Sequence, residues 1–383
     1  MNNWIVAKFG GSSVKDGTAM LRCSYILENN PDIKITIISA TYNTTNQLEQ
    51  VARFSEAQDE ASLSAVLNEI ETKHLNIAKE LFSSNVVYDG LKSLFKEIAD
   101  LSNQIKAEKA IRIELMDQLY STGERMSSLI FSDLLKLRMP QRKIVFFDAR
   151  EIIKTNSDFK KAEPQIELIA ENAGNKLREH LLDPSTLIVT QGFIGEDLNG
   201  KTTTLGREGS DYSAALFGEA INASLIQIWT DVEGVASVDP RHVKDFKYIS
   251  NLSYDEATAL ATLGAKVLFP RTLLPAKRKN IPVFVGSSLR PEAEGTTIMA
   301  TMDNDFKLKA VTADLIDGEQ VLSFVGSHLE KNVELRSMIE EKLTENKLQF
   351  SFKDLTSVSL SYTFKGLSNI EAMVIGHSIL TGI

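Results

Sequence analysis

The residues best suited to chemistry surround a glycine turn near the middle of the chain. Gly206 and Gly209 flank Arg207, and Ser210 and Asp211 follow at the expected start of a helix. Serine or aspartate caps a helix there, because its oxygen accepts a free backbone N–H. The same N–H groups attract a phosphate or carboxylate, which an arginine grips with two hydrogen bonds. The turn is therefore either a simple cap or an anion site, and Arg207 favours the anion site.

A second glycine turn follows the first apolar run of the chain, residues 4–9. Lys8 lies near the end of that predicted strand, and Gly10 and Gly11 come directly after it. Glycines let backbone N–H groups approach a phosphate, and the ammonium group balances its charge. The order of residues excludes a P-loop, whose lysine follows the glycines, and the G-x-G-x-x-G dinucleotide motif is absent. We expect a phosphate-binding turn of another kind.

Further polar candidates follow a predicted strand or interrupt predicted helices. Ser39 and Thr45 belong to a cluster of hydroxyls and amides after the strand at 34–40, where open α/β sheets bind ligands. Residues 121–128 are predicted to separate two helices, so that Glu124 would start the second one. A glutamate there often only complements the helix dipole. The alternative role is to bind a substrate ammonium group.

Composition narrows the class of protein. The chain has 383 residues, 43% of them hydrophobic and 24% charged, which is ordinary for a soluble enzyme of two or three domains. A net charge of −9 argues against nucleic-acid and anionic-membrane partners, and implies a divalent cation wherever phosphates bind. Cys23 is the single cysteine, which excludes an internal disulfide and fits a reducing cytoplasm. We expect no signal peptide, no membrane span and no zinc site.

Strands and helices alternate along most of the chain, which predicts a mainly parallel sheet covered on both faces. Residues 47–138 are predicted to form a helical lobe inserted between strands. A helix is expected at 162–182, with Pro164 in its first turn. The last 80 or so residues have a different pattern, of four strands and two helices, typical of a small α+β module.

Together the motifs closely resemble those of the aspartate kinases, in the amino-acid kinase superfamily. The resemblance extends over about residues 4–300, in order and at the family's spacing. It rests on six segments, which are residues 8–14, 202–207, 209–211, 229–232, 239–241 and 264–268. It implies a three-layer αβα fold with a mainly parallel sheet over residues 1–302, followed by a single ACT-like domain at 303–383.

The resemblance also implies an activity. Aspartate kinases transfer the γ-phosphoryl group of ATP, bound with Mg²⁺, to the β-carboxylate of L-aspartate. The product is 4-phospho-L-aspartate, on the route to lysine, threonine and methionine. Such a transfer needs positioning and positive charge more than covalent chemistry, and a carboxylate acceptor needs no strong base. The absence of an obvious catalytic histidine in the motifs agrees with this.

Site residues follow from the matching motif positions. Lys8 and Asp211 are implied to be catalytic, and no metal ligand is assigned. The implied ATP-binding residues are Lys8, Phe9, Gly10, Gly11, Thr230, Asp231, Ala236, Arg241, Lys266 and Val267. The implied aspartate-binding residues are Ser39, Thr45, Glu124, Arg207, Glu208, Gly209 and Ser210. Glu124 would pair with the substrate ammonium group and Arg207 with a carboxylate.

Three positions depart from the family pattern. Glu208 stands where glycine is frequent, Ala236 where tyrosine is usual, and Phe269 where histidine is common. Because Glu208 adds a negative charge to an anion site, its side chain is expected to point away from the pocket. The tail departs as well, since it has room for one ACT-like module where the family usually has two. We therefore expect weak or absent inhibition by lysine, and a homodimer.

Two other functions are compatible with the motifs. The first is a kinase of the same superfamily that acts on glutamate, acetylglutamate or a nucleoside monophosphate. Glu124, Arg207 and the helical lobe favour a free amino acid over these acceptors. The second is an inactive homologue that serves as a binding subunit, against which the intact Lys8 and Asp211 argue.

Overall fold

The computed structural model describes residues 3–82, 86–265, 270–300 and 307–383. The chain forms two compact units. The first consists of Met1–Val232 and Gly286–Glu292, and the second of Glu233–Val285 and Ala293–Ile383. Each unit has its own elements, and the residues that bear on chemistry in the first unit lie at the ends of its strands.

A parallel sheet forms the centre of the first unit. The strands of this unit are β1 (Ile5–Phe9), β2 (Ile33–Ile38), β3 (Lys143–Phe146), β4 (Lys154–Thr155), β5 (Thr186–Gln191), β6 (Ile194–Asp197), β7 (Thr202–Thr204) and β8 (Leu225–Thr230). The parallel sheet contains five of these strands side by side, in the order β8, β1, β2, β5 and β3, and each neighbouring pair is parallel. Every residue of β1, β2 and β5 is buried, as expected for central parallel strands. A small sheet is formed by β4, β6 and β7.

Eight helices of the first unit pack around these sheets or form the inserted lobe. They are α1 (Gly17–Glu28), α2 (Thr44–Ala57), α3 (Glu60–Leu81), α4 (Val86–Glu108), α5 (Ile113–Arg138), α6 (Ile166–Lys176), α7 (Arg178–Leu182) and α8 (Gly209–Ile221). Helices α2 to α5 pack on one another, and α5 and α8 also contact the parallel sheet. Cys23 is buried on α1, as expected for a structural residue.

Two helix predictions were wrong. Residues 121–128 do not interrupt a helix, because α5 continues through them and Glu124 lies in its interior. Gly123 is needed there for close packing, since a Cβ atom at this position would lie 3.1 Å from the Cβ atom of Ala40. The expected helix at 162–182 is divided into α6 and α7, and Pro164 precedes it in an isolated β-bridge with Thr155.

The second unit begins with short strands around two helices. Its elements before the tail are β9 (Val235–Ala236), β10 (Tyr248–Ile249), β11 (Asn251–Ser253), α9 (Tyr254–Thr262), α10 (Pro270–Lys279), β12 (Val283–Ser287) and β13 (Thr296–Met299). Strand β13 is parallel to β11 and antiparallel to β12, so the parallel pattern is not continued throughout. Helix α9 starts with a capping box formed by Ser253 and Glu256.

The tail folds as a small α+β module. Its elements are β14 (Leu308–Ile316), β15 (Glu319–Gly326), α11 (Val333–Glu345), β16 (Gln349–Leu355), β17 (Ser359–Lys365) and α12 (Asn369–Gly382). The sheet order is β14-β15-β17-β16, and all pairs are antiparallel. Leu322, Phe324, Ile339 and Tyr362 belong to its apolar core. The predicted α/β fold with a small ACT-like module is confirmed, while the proposed boundary at residue 302 lies outside the described residues.

No helix among residues 3–82, 86–265, 270–300 and 307–383 combines the length and the apolar character needed to cross a membrane.

Candidate active site

An open cavity of about 640 Å³ lies in the first unit, at the carboxyl ends of the parallel strands. Lys8 projects into it from β1, Ser39 follows β2, Phe193 follows β5 and Asp231 follows β8. Parallel strands bring their carboxyl ends to one edge of a sheet, where open α/β folds bind ligands. Residues singled out from the sequence that line the cavity are Lys8, Gly11, Ser39, Thr45, Glu124, Arg207, Glu208, Gly209, Ser210, Asp211 and Asp231.

The centre of the cavity holds an ion pair between Lys8 and Asp211. The Lys8 ammonium group contacts a carboxylate oxygen of Asp211, and the two side chains are only 9% and 7% exposed. Poor access of water strengthens the attraction between the two charges. The pair also fixes the Lys8 ammonium group at the end of β1, where it faces the cavity.

Asp211 and Ser210 lie within the first turn of α8, and not at its N-cap as predicted. Glu208 occupies the N-cap position, with a left-handed backbone (φ 54°) and no side-chain cap hydrogen bond. This geometry moves the start of the helix to Gly209 and directs Asp211 towards β1. The first turn of α8 therefore supplies a carboxylate to the cavity as well as a helix N-terminus.

Glycines bring the cavity walls together. A Cβ atom at Gly11 would lie 2.8 Å from the carbonyl oxygen of Ala40, and one at Gly192 would lie 2.6 Å from Cβ of Ser210. Real Cβ atoms do not approach other atoms so closely, so a side chain at either position would push two elements apart. The turn after β1 is further tied to β8, because the Gly10 N–H donates to the Trp229 carbonyl oxygen at 3.1 Å.

Glu124 is a buried carboxyl group with one oxygen free. Its Oε1 accepts a hydrogen bond from the backbone N–H of Ala40 at 3.3 Å. Its Oε2 is buried and has no hydrogen-bond partner among the described residues. Burial raises the pKa of Glu124 to about 8, against the opposing effect of the Ala40 N–H. A buried carboxyl oxygen without a donor is costly unless a ligand supplies one, so this atom is poised to bind a cation or an N–H group.

Arg207 and Glu208 lie together at the wall of the cavity, and both are exposed. The expectation that Glu208 points away from the pocket was wrong, because Glu208 is one of the residues that line the cavity. Desolvation and then the charge of Asp211 raise the pKa of Glu208, while Lys8 and Arg207 lower it.

Comparison with known proteins identifies the family to which this geometry belongs. A sequence profile of the Amino acid kinase family matches residues 3–287. The chain belongs to the amino acid kinase family. Lysine-sensitive aspartokinase 3 of Escherichia coli is 41% identical over 304 residues, which cover 79% of this chain and 66% of that protein. The aspartokinase of Chlamydia trachomatis is 33% identical over 325 residues, which cover 84% of this chain and 70% of that protein.

A solved structure agrees with the sequence relatives of this amino acid kinase. The crystal structure of E. coli aspartokinase III in complex with aspartate and ADP is similar over 99% of this chain and 100% of that one. The TM-score is 0.87 and the sequence identity is 30%. The resemblance to the aspartate kinases, predicted from the motifs, is thereby confirmed.

The amino acid kinase has cavity residues that sequence reasoning missed. They include Tyr120, Lys160, Phe193 and Thr204, which line the cavity. Asp117 lies behind Lys160 and Thr204. Its buried carboxylate accepts hydrogen bonds from the backbone N–H groups of Lys160 (2.9 Å) and Thr204 (2.8 Å) and from the Thr204 hydroxyl (2.9 Å).

The position of Asp117 on α5 offers a signal that could have found it. It precedes Glu124 by seven residues, which is two helical turns, so both carboxyl groups share one face of the helix. Burial raises the pKa of Asp117 to about 6, while the N–H groups of Lys160 and Thr204 and the Thr204 hydroxyl lower it. Asp117 thus ties the Lys160 turn and the end of β7 to α5.

Other predicted residues have different surroundings. Phe9 is fully buried and stacks on Trp229, with ring centroids 6.4 Å apart, so its side chain belongs to the core. The Thr230 hydroxyl donates to the Asp231 carboxylate at 3.0 Å. Ala236 and Arg241 belong to the second unit, where Arg241 is 61% exposed and pairs with Asp239. Lys266 and Val267, like the divergent Phe269, lie outside the described residues.

Metal ligands are few in the kinase cavity. In the part of the chain that the structure describes, no group of three or more His, Cys, Asp or Glu side chains is arranged to hold a metal ion. The carboxylates of Asp211 and Asp231 lie at the cavity wall and have the oxygen donors that Mg²⁺ prefers. A cation bound there would need other ligands, such as phosphate oxygens and water.

Proposed function

We propose that the chain transfers the γ-phosphoryl group of ATP to the β-carboxylate of L-aspartate. The observation that carries this proposal is the free, buried Oε2 atom of Glu124, in a cavity that also holds Arg207 and Lys8. A carboxylate for an ammonium group, a guanidinium for a carboxylate and a lysine for phosphate are the groups that an amino acid kinase of this specificity needs. The E. coli relative crystallised with aspartate and ADP supports the same choice.

On the acceptor side, Glu124 would bind in its ionised form. An ammonium group placed at Oε2 favours the charged carboxylate, so binding of aspartate should lower the raised pKa of Glu124. Arg207 would hold a carboxylate of the substrate with its planar guanidinium group. Ser39, Thr45 and the first turn of α8 complete the acceptor side of the proposal.

On the nucleotide side, Lys8 and the glycine turn fit the phosphates of ATP. The absence of a side chain at Gly10 keeps the space beside Lys8 open, since a Cβ atom there would lie 3.3 Å from Nζ of Lys8. Asp211 would hold Mg²⁺ together with phosphate oxygens and water, and the bound ion would neutralise phosphate charge. Thr230 and Asp231 are proposed nucleoside contacts, and Ala236, Arg241, Lys266 and Val267 remain predictions.

The chemical step requires little of the protein beyond position and charge. An oxygen of the acceptor carboxylate forms a bond to the γ-phosphorus, and the bond from that phosphorus to the bridging oxygen of ADP breaks. The acceptor is already an anion, so no proton has to be removed. Lys8 stabilises the charge that develops on the transferred group and on the leaving oxygen. Asp211 keeps the Lys8 ammonium group in place through their ion pair.

An ADP-release assay with ATP, Mg²⁺ and L-aspartate tests the proposal, with the same assay on glutamate, acetylglutamate and a nucleoside monophosphate. We expect ADP release with aspartate and with none of the other acceptors. This release should be lost in Lys8→Ala and Asp211→Ala. Release with another acceptor in preference to aspartate would assign the chain to another kinase of the family. Binding of ATP and aspartate without ADP formation would make it an inactive binding subunit.

We also propose that the ACT-like module of residues 307–383 gives weak or no inhibition by lysine, and that the chain forms a homodimer. Titration of lysine and threonine in the same assay tests the first statement, and strong inhibition by either amino acid would contradict it. Light scattering tests the second, and a monomeric mass would contradict it.

A further inference from the structure

A chain of side-chain hydrogen bonds runs beneath the loop that follows β2. It joins Lys73 and His74 of α3 to Thr44 of α2 and Thr41 of the loop, and we call these four residues the threonine–histidine chain. Nζ of Lys73 lies 2.7 Å from Oγ1 of Thr44, which lies 2.6 Å from Oγ1 of Thr41. Oγ1 of Thr41 lies 3.1 Å from Nε2 of His74. Thr41, Thr44 and His74 are 1% exposed or less.

Only one arrangement of protons satisfies every link in the chain. Nδ1 of His74 lies 2.7 Å from the carbonyl oxygen of Ile70, which can only accept, so Nδ1 carries the proton. In the neutral ring Nε2 then accepts from the Thr41 hydroxyl. The single proton of Thr41 is used in that bond, so Thr44 must donate to Thr41. Thr44 in turn accepts from the Lys73 ammonium group, which has protons but no lone pair.

Both ends of the chain suit this arrangement near neutral pH, because Lys73 still carries its proton there although burial lowers its pKa to about 8. Burial lowers the pKa of His74 to about 4, which keeps the ring neutral at ordinary pH. The Lys73 ammonium group also donates to the Tyr42 carbonyl oxygen at 3.1 Å and to Oε1 of Gln47. Its three N–H bonds are therefore all used, two of them on α2 and one on the loop.

The loop above the chain needs such support. Thr41, Tyr42, Asn43 and Thr45 all line the cavity. Asn43 has a left-handed backbone (φ 64°) and Tyr42 is 66% exposed, so the two residues at the tip of the loop contribute little packing of their own. A backbone in a sparsely populated conformation persists only where its surroundings determine it.

We propose that His74 and Lys73 are positioning residues, which hold the cavity loop 41–45 in its acceptor-binding form through the threonine–histidine chain. The proposal rests on the proposed function, because the loop belongs to the acceptor side of the cavity. Neither residue touches the substrate. Their effect reaches the cavity through two threonine hydroxyls, whose donor and acceptor roles depend on His74 at one end and Lys73 at the other.

A serial chain has a property that ordinary packing lacks. Loss of any one hydroxyl interrupts the whole chain, so a second loss adds little. Independent packing contributions would instead add, because non-additivity arises only between residues that act through one another. Thr41→Val and Thr44→Val remove the hydroxyls and keep the shape of the side chain, and the double variant measures whether the two act in series.

The test measures KM for aspartate and kcat in the parent, the two single variants and the double variant. We expect each single variant to raise KM about tenfold, as the loss of one buried hydrogen bond would, with kcat within about threefold. KM of the double variant should also be about tenfold higher than that of the parent, rather than about a hundredfold higher. A double effect equal to the product of the single effects would overturn the proposal.

Two matched substitutions complete the design. Thr36→Val is the control, because Thr36 is a fully buried threonine of β2 whose hydroxyl has no partner among the described residues. It should leave KM unchanged. His74→Gln keeps an acceptor for Thr41 and should stay closer to the parent than His74→Leu, which has none. Equal KM values for these two His74 variants would contradict the role of Nε2.

Hydrogen exchange separates this inference from the proposed function. Exchange of the amides at residues 41–45 should become faster in Thr41→Val, Thr44→Val and His74→Leu, and stay as in the parent in Thr36→Val. This measurement needs no substrate, so it decides the inference even if aspartate is not phosphorylated. Unchanged exchange in the three chain variants would overturn it.

Discussion

The cavity has two walls that are built in different ways. The phosphate wall, which we define as Lys8, Gly10, Gly11 and Asp211, is formed by a short turn and one ion pair to the start of α8. The acceptor wall, defined as Ala40, Thr41, Thr45 and Glu124, is formed by side chains from elements far apart in the chain. Glu124, for example, reaches the Ala40 N–H across 84 positions of sequence.

The difference shows where each wall is vulnerable. The phosphate wall depends on the absence of side chains at two glycines and on a single ion pair, so few positions are sensitive, and loss of the Lys8 charge should be the most severe change. The acceptor wall depends on many buried polar contacts, which include the threonine–histidine chain and the carboxylate of Asp117. Substitutions in the acceptor wall should raise KM for aspartate more than they lower kcat, by amounts that differ from one position to the next.

Lys8→Met should have the largest effect, because it removes the positive charge from the phosphate wall. We expect kcat to fall by about 10²–10³-fold, the usual cost of a lost transition-state contact. Lys96→Met is the control, since Lys96 on α4 is 75% exposed and pairs with Asp100 on the same helix. ADP release at saturating ATP and aspartate gives the comparison, and a Lys8 variant as active as the control would refute the assignment.

Glu124→Gln should come next, through the acceptor wall. A charge-assisted hydrogen bond contributes about 1.5–3 kcal/mol, so KM for aspartate should rise by about 10- to 100-fold. The pKa of Glu124 is near 8 in the free protein, so KM of the parent should fall as pH rises towards 8, and that of the variant should not. Initial rates between pH 6 and 8 measure this, and parallel pH profiles would contradict it.

Glu124 should also influence stability with a defined sign. Its pKa is raised from 4.5 to about 8 on folding, so the folded state binds a proton that the unfolded state has lost between these values. The contribution of Glu124 to stability therefore declines as pH rises through this window. Without aspartate, Tm should fall less between pH 5 and pH 8 in Glu124→Gln than in the parent. A larger fall in the variant would show that the sign is wrong.

Gly11→Ala should produce a smaller defect, centred on the glycine turn of the phosphate wall. The new methyl group would lie 2.8 Å from the Ala40 carbonyl oxygen, and the turn must move to make room. Overpacking of this kind costs about 1–3 kcal/mol, so we expect KM for ATP to rise by about tenfold. Gly174→Ala on α6 is the control, because a Cβ atom there meets nothing within 4 Å. Equal KM values for ATP in the two variants would argue against a shape requirement at Gly11.

Asp117→Ala should have the smallest effect on turnover and a clear effect on stability. It leaves the N–H groups of Lys160 and Thr204 without their acceptor, which costs about 1–3 kcal/mol of unfolding free energy. Urea unfolding measures the loss. Asp100→Ala is the reference, because Asp100 on α4 is 60% exposed. Equal stability of the two variants would mean that water replaces Asp117 as the acceptor.

The phosphate wall could be predicted from sequence much better than the acceptor wall. Lys8, Gly10 and Gly11 are contiguous, and glycines mark a turn whatever the rest of the chain does. Alternation of strands and helices likewise predicted the parallel sheet, and the different pattern of the last 80 or so residues predicted the tail module. Glu124 was identified for its residue type, but its place was wrong, because a glycine in a helix interior looks like a break until tertiary packing explains it.

Other residues escaped because their roles depend on contacts between distant elements. His74 and Lys73 have an ordinary helical pattern, and only the position of α3 beside the loop gives them partners. The predicted N-cap of α8 was wrong for a local reason, which is the left-handed backbone of Glu208. A left-handed backbone at a residue that is not glycine could not be anticipated from its neighbours.

The unbroken course of α5 has a consequence for how acceptor choice could evolve. A helix can offer a side chain only at intervals of about 1.5 Å along its axis and 100° around it. Asp117 anchors one end of the segment and Glu124, the proposed partner of the substrate ammonium group, lies two turns further along, so the helix fixes the distance between them. Moving the carboxylate to a neighbouring position would turn it out of the cavity. A change of specificity to a longer or shorter acceptor would therefore require substitutions on the opposite side of the cavity, at the turn around Arg207.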